Sequence, residues 1–377
     1  MKSNPHVYPS IDFEELSNKN LRNNFIQEKI VSINDIADFL ENRILIPIPQ
    51  ITGTSIEEKI LSIFQDENYR FGPVEFINSN IKKWIERISY FTSKNLPIQF
   101  TILGFPFKIP VPLKTNRIFP DMGEVLALHR LSVITKLITN IYKNGARITL
   151  FTEGGFGPFT GVPKANWIAY RVFLEELNSQ LKLSKSVNII DLSEMEKTVP
   201  DFSEKMDKRI SEYKKLYEDR NTDFLEKYNS VFPVIYKIVF TTDNEEKILM
   251  DVYNTKLSDD EISPKASEIR NSLKEKTHKC IFSYFAYLKV RDDIDYLQKT
   301  VPHSLPLSVS PKFNRLGIIP IRKDIDKLPY HSVPVLSNNN TFDLKYLIDL
   351  KRSFGKFTKV FLDIDKEKKP FYYEKIK

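Results

Sequence analysis

Apolar positions change their spacing several times along the chain. In INDIADFLENR (33–43) and SIEEKILSIF (55–64) they recur every three to four residues, which predicts two amphipathic helices. Glu57 and Glu58 follow Ser55 in a first helical turn, where the helix dipole favours acids. Pro-Ile-Pro at 47–49 separates the two helices, and a third is expected near Ile77–Tyr90. From Pro97 the texture shifts. PIQFTILGF (97–105) is a short apolar run bounded by prolines, the pattern of a buried strand. A proline-rich connection follows, then an amphipathic helix over Met122–Lys143, then ARITLF (146–151), a second β-branched apolar run. Strand, crossover helix and strand make a βαβ unit with parallel strands and a right-handed crossover. VNIIDL (187–192) predicts a further strand.

Residues 193–230 are densely charged at helical spacing and read as a solvated helical excursion. A long helix is expected over 264–299. Short strand candidates close the chain: LPLSVS (305–310), RLGIIPI (315–321), SVPVLS (332–337) and KVFLDI (359–364). The fold class is therefore α/β, with a Rossmann-like parallel-sheet core, an N-terminal helical lobe and additional C-terminal strands. The expected divisions are a lobe at 1–65, a core at 66–340 containing the excursion, and an extension at 341–377.

Composition narrows the function classes. With 41% hydrophobic and 12% aromatic residues the chain can bury a large core, so wholesale disorder is excluded. No apolar run approaches the roughly 18 residues of a membrane span. MKSNPHVYPSIDFEEL has no apolar stretch of a secretory signal. Lys plus Arg (56) against Asp plus Glu (49) leaves +7, a mild excess that suits an anionic substrate better than nucleic acid. A single cysteine, Cys280, excludes an internal disulfide and points to the cytoplasm. Its apolar setting, KCIFSYFAYL, reads as an inert buried thiol.

Glycine is scarce, 11 in 377, against a typical share of about 7%. Seven of them nevertheless lie between Gly104 and Gly161; Gly104 and the group Gly154, Gly155, Gly157 and Gly161 follow the C-terminal ends of the two leading strands, the edge where open α/β sheets bind ligands. The 17-residue connection 104–120 is stiffened by Pro106, Pro110, Pro112 and Pro120 and carries Lys108, Lys114 and Arg117 just before a helix start. Cations beside free helix N–H groups can cradle a phosphate or carboxylate; equally, they can face water. Asp121 and Glu124 have the spacing of a capping box and also form a carboxylate pair suited to proton transfer; one does not exclude the other. Glu153 ends the second strand before Gly154 and Gly155, a position for a ligand or a base. His331, on the proline-restrained LPYHSV, is an acid/base candidate. The five histidines have no zinc spacing, and there is no nucleotide fingerprint, so neither metal nor nucleotide cofactor is expected.

ILGFPFKIPVPLKT, PDMGEVLALHRL and GARITLFTEGGFG resemble the isocyanide (isonitrile) synthase family, also called the pyoverdine/dityrosine biosynthesis family. Pro106, Lys108, Pro110, Pro112, Lys114, Pro120, Asp121, Gly123, Glu124, Ala127 and Leu128 match its pattern. LPYHSV is similar to a later element, with Tyr330 in place of Trp. Departures are Glu153 for the family's Asp, Val111 for a frequent Asn, and Pro306 and Ser310 at positions charged in relatives. The resemblance implies conversion of the α-amino group of tyrosine or tryptophan to an isonitrile, with ribulose 5-phosphate as co-substrate and carbon source and no metal or nucleotide. It implies a secondary-metabolite pathway shared with an iron- and 2-oxoglutarate-dependent oxygenase. The residue positions and the resemblance together make His331, Glu153, Glu124 and Asp121 the catalytic candidates, and Lys108, Lys114, Arg117, Gly154 and Gly155 the substrate- or phosphate-binding ones. The alternatives are an N-formyl-tyrosine-type synthase for a dityrosine spore wall and a non-catalytic binding protein of the same fold.

Overall fold

The computed structural model describes residues 24–44, 46–108, 114–157, 162–239 and 264–376. Pro110, Val111, Pro112, Gly161 and the first 23 residues lie outside the described residues. In chain order the strands are β1 (Phe25–Val31), β2 (Ile98–Gly104), β3 (Ala146–Thr152), β4 (Val187–Asp191), β5 (Leu305–Ser308), β6 (Leu316–Gly317), β7 (Val333–Leu336), β8 (Phe342–Lys345), β9 (Phe357–Leu362) and β10 (Tyr372–Lys375). The helices used below are α1 (Ile33–Asn42), α2 (Ile56–Gln65), α3 (Glu75–Asn78), α4 (Ile81–Thr92), α5 (Met122–Ile141), α6 (Lys164–Gln180), α7 (Phe202–Glu218), α8 (Thr222–Val239) and α9 (Pro264–Asp293).

Local signals explain the early helices. Ser32 and Ser55 cap α1 and α2 with reciprocal bonds to Asp35 and Glu58, two capping boxes that satisfy otherwise orphaned N–H groups. The helix expected over 77–90 is instead two, α3 and α4, because Ser79 and Asn80 interrupt the ladder.

Contacts divide the described residues into two compact units: 24–153 with 168–191 and 297–376, and a smaller one of 154–167 with 192–296. The larger unit holds two five-stranded sheets. The first runs β4-β3-β2-β5-β6 and is parallel throughout. Phe100 of β2 lies opposite Ile148 of β3 and Leu305 of β5, all three fully buried. A strand buried on both faces reads as a continuous apolar run, which is why β2 and β3 are visible in the sequence. The second sheet, β1-β9-β10-β7-β8, is mixed. It recruits β1 from the stretch expected to be a helical lobe and the strands expected to be an appendage. Strand β1 and helices α1 and α2, up to residue 65, and strands β8 to β10, after residue 341, lie in the same compact unit as the parallel sheet.

The smaller unit is helical. The 193–230 excursion is not simply solvated, because α7, α8 and α9 enclose an apolar centre built on Phe224, Tyr228, Ile235, Ile281 and Phe282. Tyr213 stacks on Phe224 at 5.3 Å, and such aromatic contacts dominate small cores. Cys280 packs against this centre, and burial pushes its thiol pKa up. The helix expected over 264–299 breaks after Asp293, with Asp295 at φ 47°. Among the described residues no helix is long and apolar enough to cross a membrane.

Candidate active site

Strand β2 delivers the chain to the C-terminal edge of the parallel sheet and then turns sharply. Phe105 adopts φ 51°, a left-handed conformation that costs a non-glycine residue free energy. Three residues on, Lys108 is fully buried. Its Nζ donates to Asp121 Oδ2 at 2.5 Å, lies 3.1 Å from Glu124 Oε2, and reaches the carbonyls of Pro329 (3.1 Å) and Ser332 (3.5 Å). Asp121 and Glu124 are equally enclosed.

The two carboxyl groups also form the expected capping box of α5. Asp121 Oδ1 accepts from the Gly123 N–H at 2.8 Å, and Glu124 Oε2 accepts from the Asp121 N–H at 2.9 Å. Cap and site are one structure. Gly123 has a steric reason: a Cβ there would meet Asp121 Oδ1 at 3.1 Å and Pro329 at 3.4 Å. From the far side the Tyr170 hydroxyl of α6 donates to Glu124 Oε1 at 3.2 Å.

One ammonium faces two carboxyl groups where water is excluded. Two negative charges against one positive would leave a net buried charge, which is costly. The cluster is electrically neutral when one carboxyl holds a proton. Asp121 is that group: burial, reinforced by the Glu124 charge and opposed by Lys108 and Arg117, pushes its pKa up to about 8. Burial and the neighbouring Glu124 raise Tyr170 well above the ordinary phenol value. Burial thus favours an Asp121 carboxyl that keeps its proton in the folded state.

The other expected residues fall into distinct places. His331 closes a 3-10 turn, Pro329–His331, and its flanking carbonyls at 329 and 332 are the ones that hold Lys108. Its ring meets the Tyr330 ring edge-on at 4.6 Å. Glu153 is half-buried and opens a 3-10 turn, Glu153–Phe156, that contains Gly154 and Gly155. Arg117 is fully buried, and its guanidinium is taken up by Asp365 (2.6 Å), Glu367 (3.8 Å) and the carbonyls of Pro120, Lys369 and Pro370. Lys114 lies 5.3 Å over the Tyr346 ring. The three cations thus do not converge on one cradle: Lys108 and Arg117 each have carboxylate partners from the chain itself. Among the described residues no group of three His, Cys, Asp or Glu side chains is placed to hold a metal ion.

Two residues escaped the sequence reading. Tyr170 sits mid-helix, and nothing local marks it. Asp191, buried at the end of β4, accepts from the Thr152 hydroxyl at the end of β3 at 2.6 Å. Its signal was available: an acid ending a predicted parallel strand at the ligand edge.

A parallel sheet carrying a buried ammonium–dicarboxyl cluster at its C-terminal edge places the chain in the α/β class. The chain belongs to the pyoverdine/dityrosine biosynthesis protein family, whose model matches residues 88–353. It is 24% identical over 278 residues to the L-tryptophan isonitrile synthase AmbI2 of Fischerella ambigua, covering 71% of this chain and 75% of that one. It is 34% identical over 100 residues to the L-tyrosine isonitrile synthase of Pseudomonas aeruginosa, 25% of this chain and 30% of that one. A stretch of 128 residues is 29% identical to the spore wall maturation protein DIT1 of Saccharomyces cerevisiae, 34% and 23% of the two chains. The crystal structure of PvcA from Pseudomonas aeruginosa superposes with a TM-score of 0.60 at 20% identity, over 85% of this chain and 99% of that one. That likeness establishes the shared fold.

Proposed function

We propose that this protein is an isonitrile synthase that converts the α-amino group of an aromatic amino acid, tyrosine or tryptophan, using ribulose 5-phosphate as the carbon source. The observation that carries the reading is the buried Lys108–Asp121–Glu124 cluster, built on the residues that match the family pattern. The tryptophan and tyrosine isonitrile synthases among its relatives agree with it. Condensing an amine with a sugar ketone takes a proton from nitrogen and delivers one to the departing hydroxyl. Fragmenting the adduct needs further proton transfers, each served best by a group titrating near neutrality. In this proposal Asp121 and Glu124 exchange those protons, Lys108 compensates the charge left when a carboxyl gives its proton up, and His331 and Glu153 act at the same edge. No metal or nucleotide takes part, the protein works in the cytoplasm, and an iron- and 2-oxoglutarate-dependent oxygenase uses its product.

The match to the spore wall protein favours one second reading, an N-formyl-tyrosine-type product for a dityrosine wall. One experiment decides. The purified chain is incubated with each aromatic amino acid and ribulose 5-phosphate, and the products are read by mass spectrometry. An isonitrile supports the first reading and a formyl amide the second. Neither product from any aromatic amino acid would overturn both and favour a non-catalytic binding protein.

A further inference from the structure

Within the larger unit a cavity of about 170 Å³ lies on a different flank of α5 from Glu124, bounded on that helix by Leu126, His129 and Arg130. Leu126, Ile321 and Phe342 give it apolar walls, while Arg43, Arg130, Arg322 and Lys323 bring four cations to it, and among the described residues no carboxylate lines it. A dry apolar cavity of about 150 Å³ is enough for benzene, so the space suits a body of phenyl size.

Arg130 is the telling residue. It is only 5% exposed. One Nη donates to the Asn68 carbonyl, and the guanidinium carbon lies 3.7 Å over the Tyr69 ring. Among the described residues its Nε is buried with no hydrogen-bond partner and no carboxylate pairs with it. Asp66 acts on it at longer range, but that carboxylate already accepts from the Gln50 and Asn68 N–H groups. A buried guanidinium without an anion is costly, and a bound anion would remove that cost. His129 beside it stays a neutral ring, because burial, with help from Lys136 and Arg130, pushes its pKa down to about 4. Arg322 and Lys323 pair with Asp324 and Glu67 in exposed bridges, each worth about 0–1 kcal/mol and so readily exchanged for a ligand.

We propose that this cavity binds a small organic anion, an apolar body of about phenyl size bearing a phosphate or carboxylate, anchored by Arg130. The site is separate from the Lys108 cluster and does not depend on the isonitrile reading, because its readout is binding and not turnover. The test titrates the full chain calorimetrically with phenyl phosphate, phenylacetate and phenol. At least one of the two anions should bind, with phenol about tenfold weaker or worse; which anion binds more tightly identifies the head group. Arg130→Gln should lose the anion at least tenfold. Because that variant can unfold, the pair Arg43→Glu with Arg322→Glu, neither of them buried, is measured beside it and should lose at least tenfold as well. Glu124→Gln should retain the affinity. The proposal is overturned if neither anion binds, if phenol binds as tightly as they do, if the charge-reversed pair keeps wild-type affinity, or if Glu124→Gln abolishes binding and so places the anion at the Lys108 cluster.

Discussion

Lys108 and Arg117 are carried by one proline-rich connection, both are fully buried, and each faces two carboxyl groups. They nevertheless do different things. The Arg117 guanidinium is always charged, and its planar fork is saturated by carboxylates and carbonyls of the segment Asp365–Pro370. Glu367 adds bonds to the Ile118 and Phe119 N–H groups at 2.8 and 2.9 Å, and Lys369 reaches the Asn116 carbonyl at 2.8 Å. This is a fastener that holds a loop to a distant segment, with no proton to give. The Lys108 cluster has one charge too few to neutralise its carboxyls, and the deficit is made up by a proton. Burial and pairing alone therefore do not distinguish the two clusters; the charge balance does.

The largest effect expected from this contrast is kinetic. Glu124→Gln should lower kcat for isonitrile formation by about 10²–10⁴ with the fold retained by circular dichroism, and His331→Gln should do the same if its ring moves a proton. A kcat within a few-fold of wild type alongside a lowered Tm would reduce either residue to packing or capping, a loss of about 1 kcal/mol. Arg117→Met should act the other way round. Two carboxylates lose their partner, so unfolding free energy should fall by roughly 3–5 kcal/mol in a denaturant titration, with kcat of the folded fraction little changed. A rate loss with unaltered stability would erase the distinction. Tyr170→Phe should cost about 1–3 kcal/mol, since it leaves a buried Glu124 oxygen short of a donor.

A further effect concerns pH. Asp121 keeps a proton in the folded protein up to about pH 8, whereas the unfolded chain releases it near its ordinary 3.8. The folded state thus binds the extra proton, and stability should decline as pH rises across that window. Asp121→Asn should flatten the decline, and an unchanged slope in urea titrations across the window would show that the proton sits elsewhere.

Much of this was legible in the sequence because it is local. The apolar runs of β2, β3 and β4, the first-turn acids after Ser55, and the Asp-x-x-Glu start of α5 are all decided within a few residues. What was hidden is decided at long range. Arg117 reads as a solvated or ligand-binding cation until Asp365 and Glu367 arrive from far along the chain. Strand β1 shows no clean alternation because five of its seven residues are exposed; charges such as Glu28 and Lys29 guard it as a sheet edge. The 193–230 segment reads as solvated because its charges outnumber the aromatics that build its inner face.

That edge strand has a consequence for biosynthesis. Strand β1 pairs in parallel with β9, and 331 residues separate Gln27 from its hydrogen-bonded neighbour Thr358. A chain emerging from the ribosome makes β1 first and must carry it unpaired through the synthesis of everything between. The parallel sheet around β2, β3 and β4 can gather during that interval, but the mixed sheet waits for β9. Such distant pairing is slow to close, and the waiting strand is exposed to other chains. A nascent chain stalled before β9 should therefore bind chaperones strongly and clump when released, while one stalled just beyond β10 should do neither.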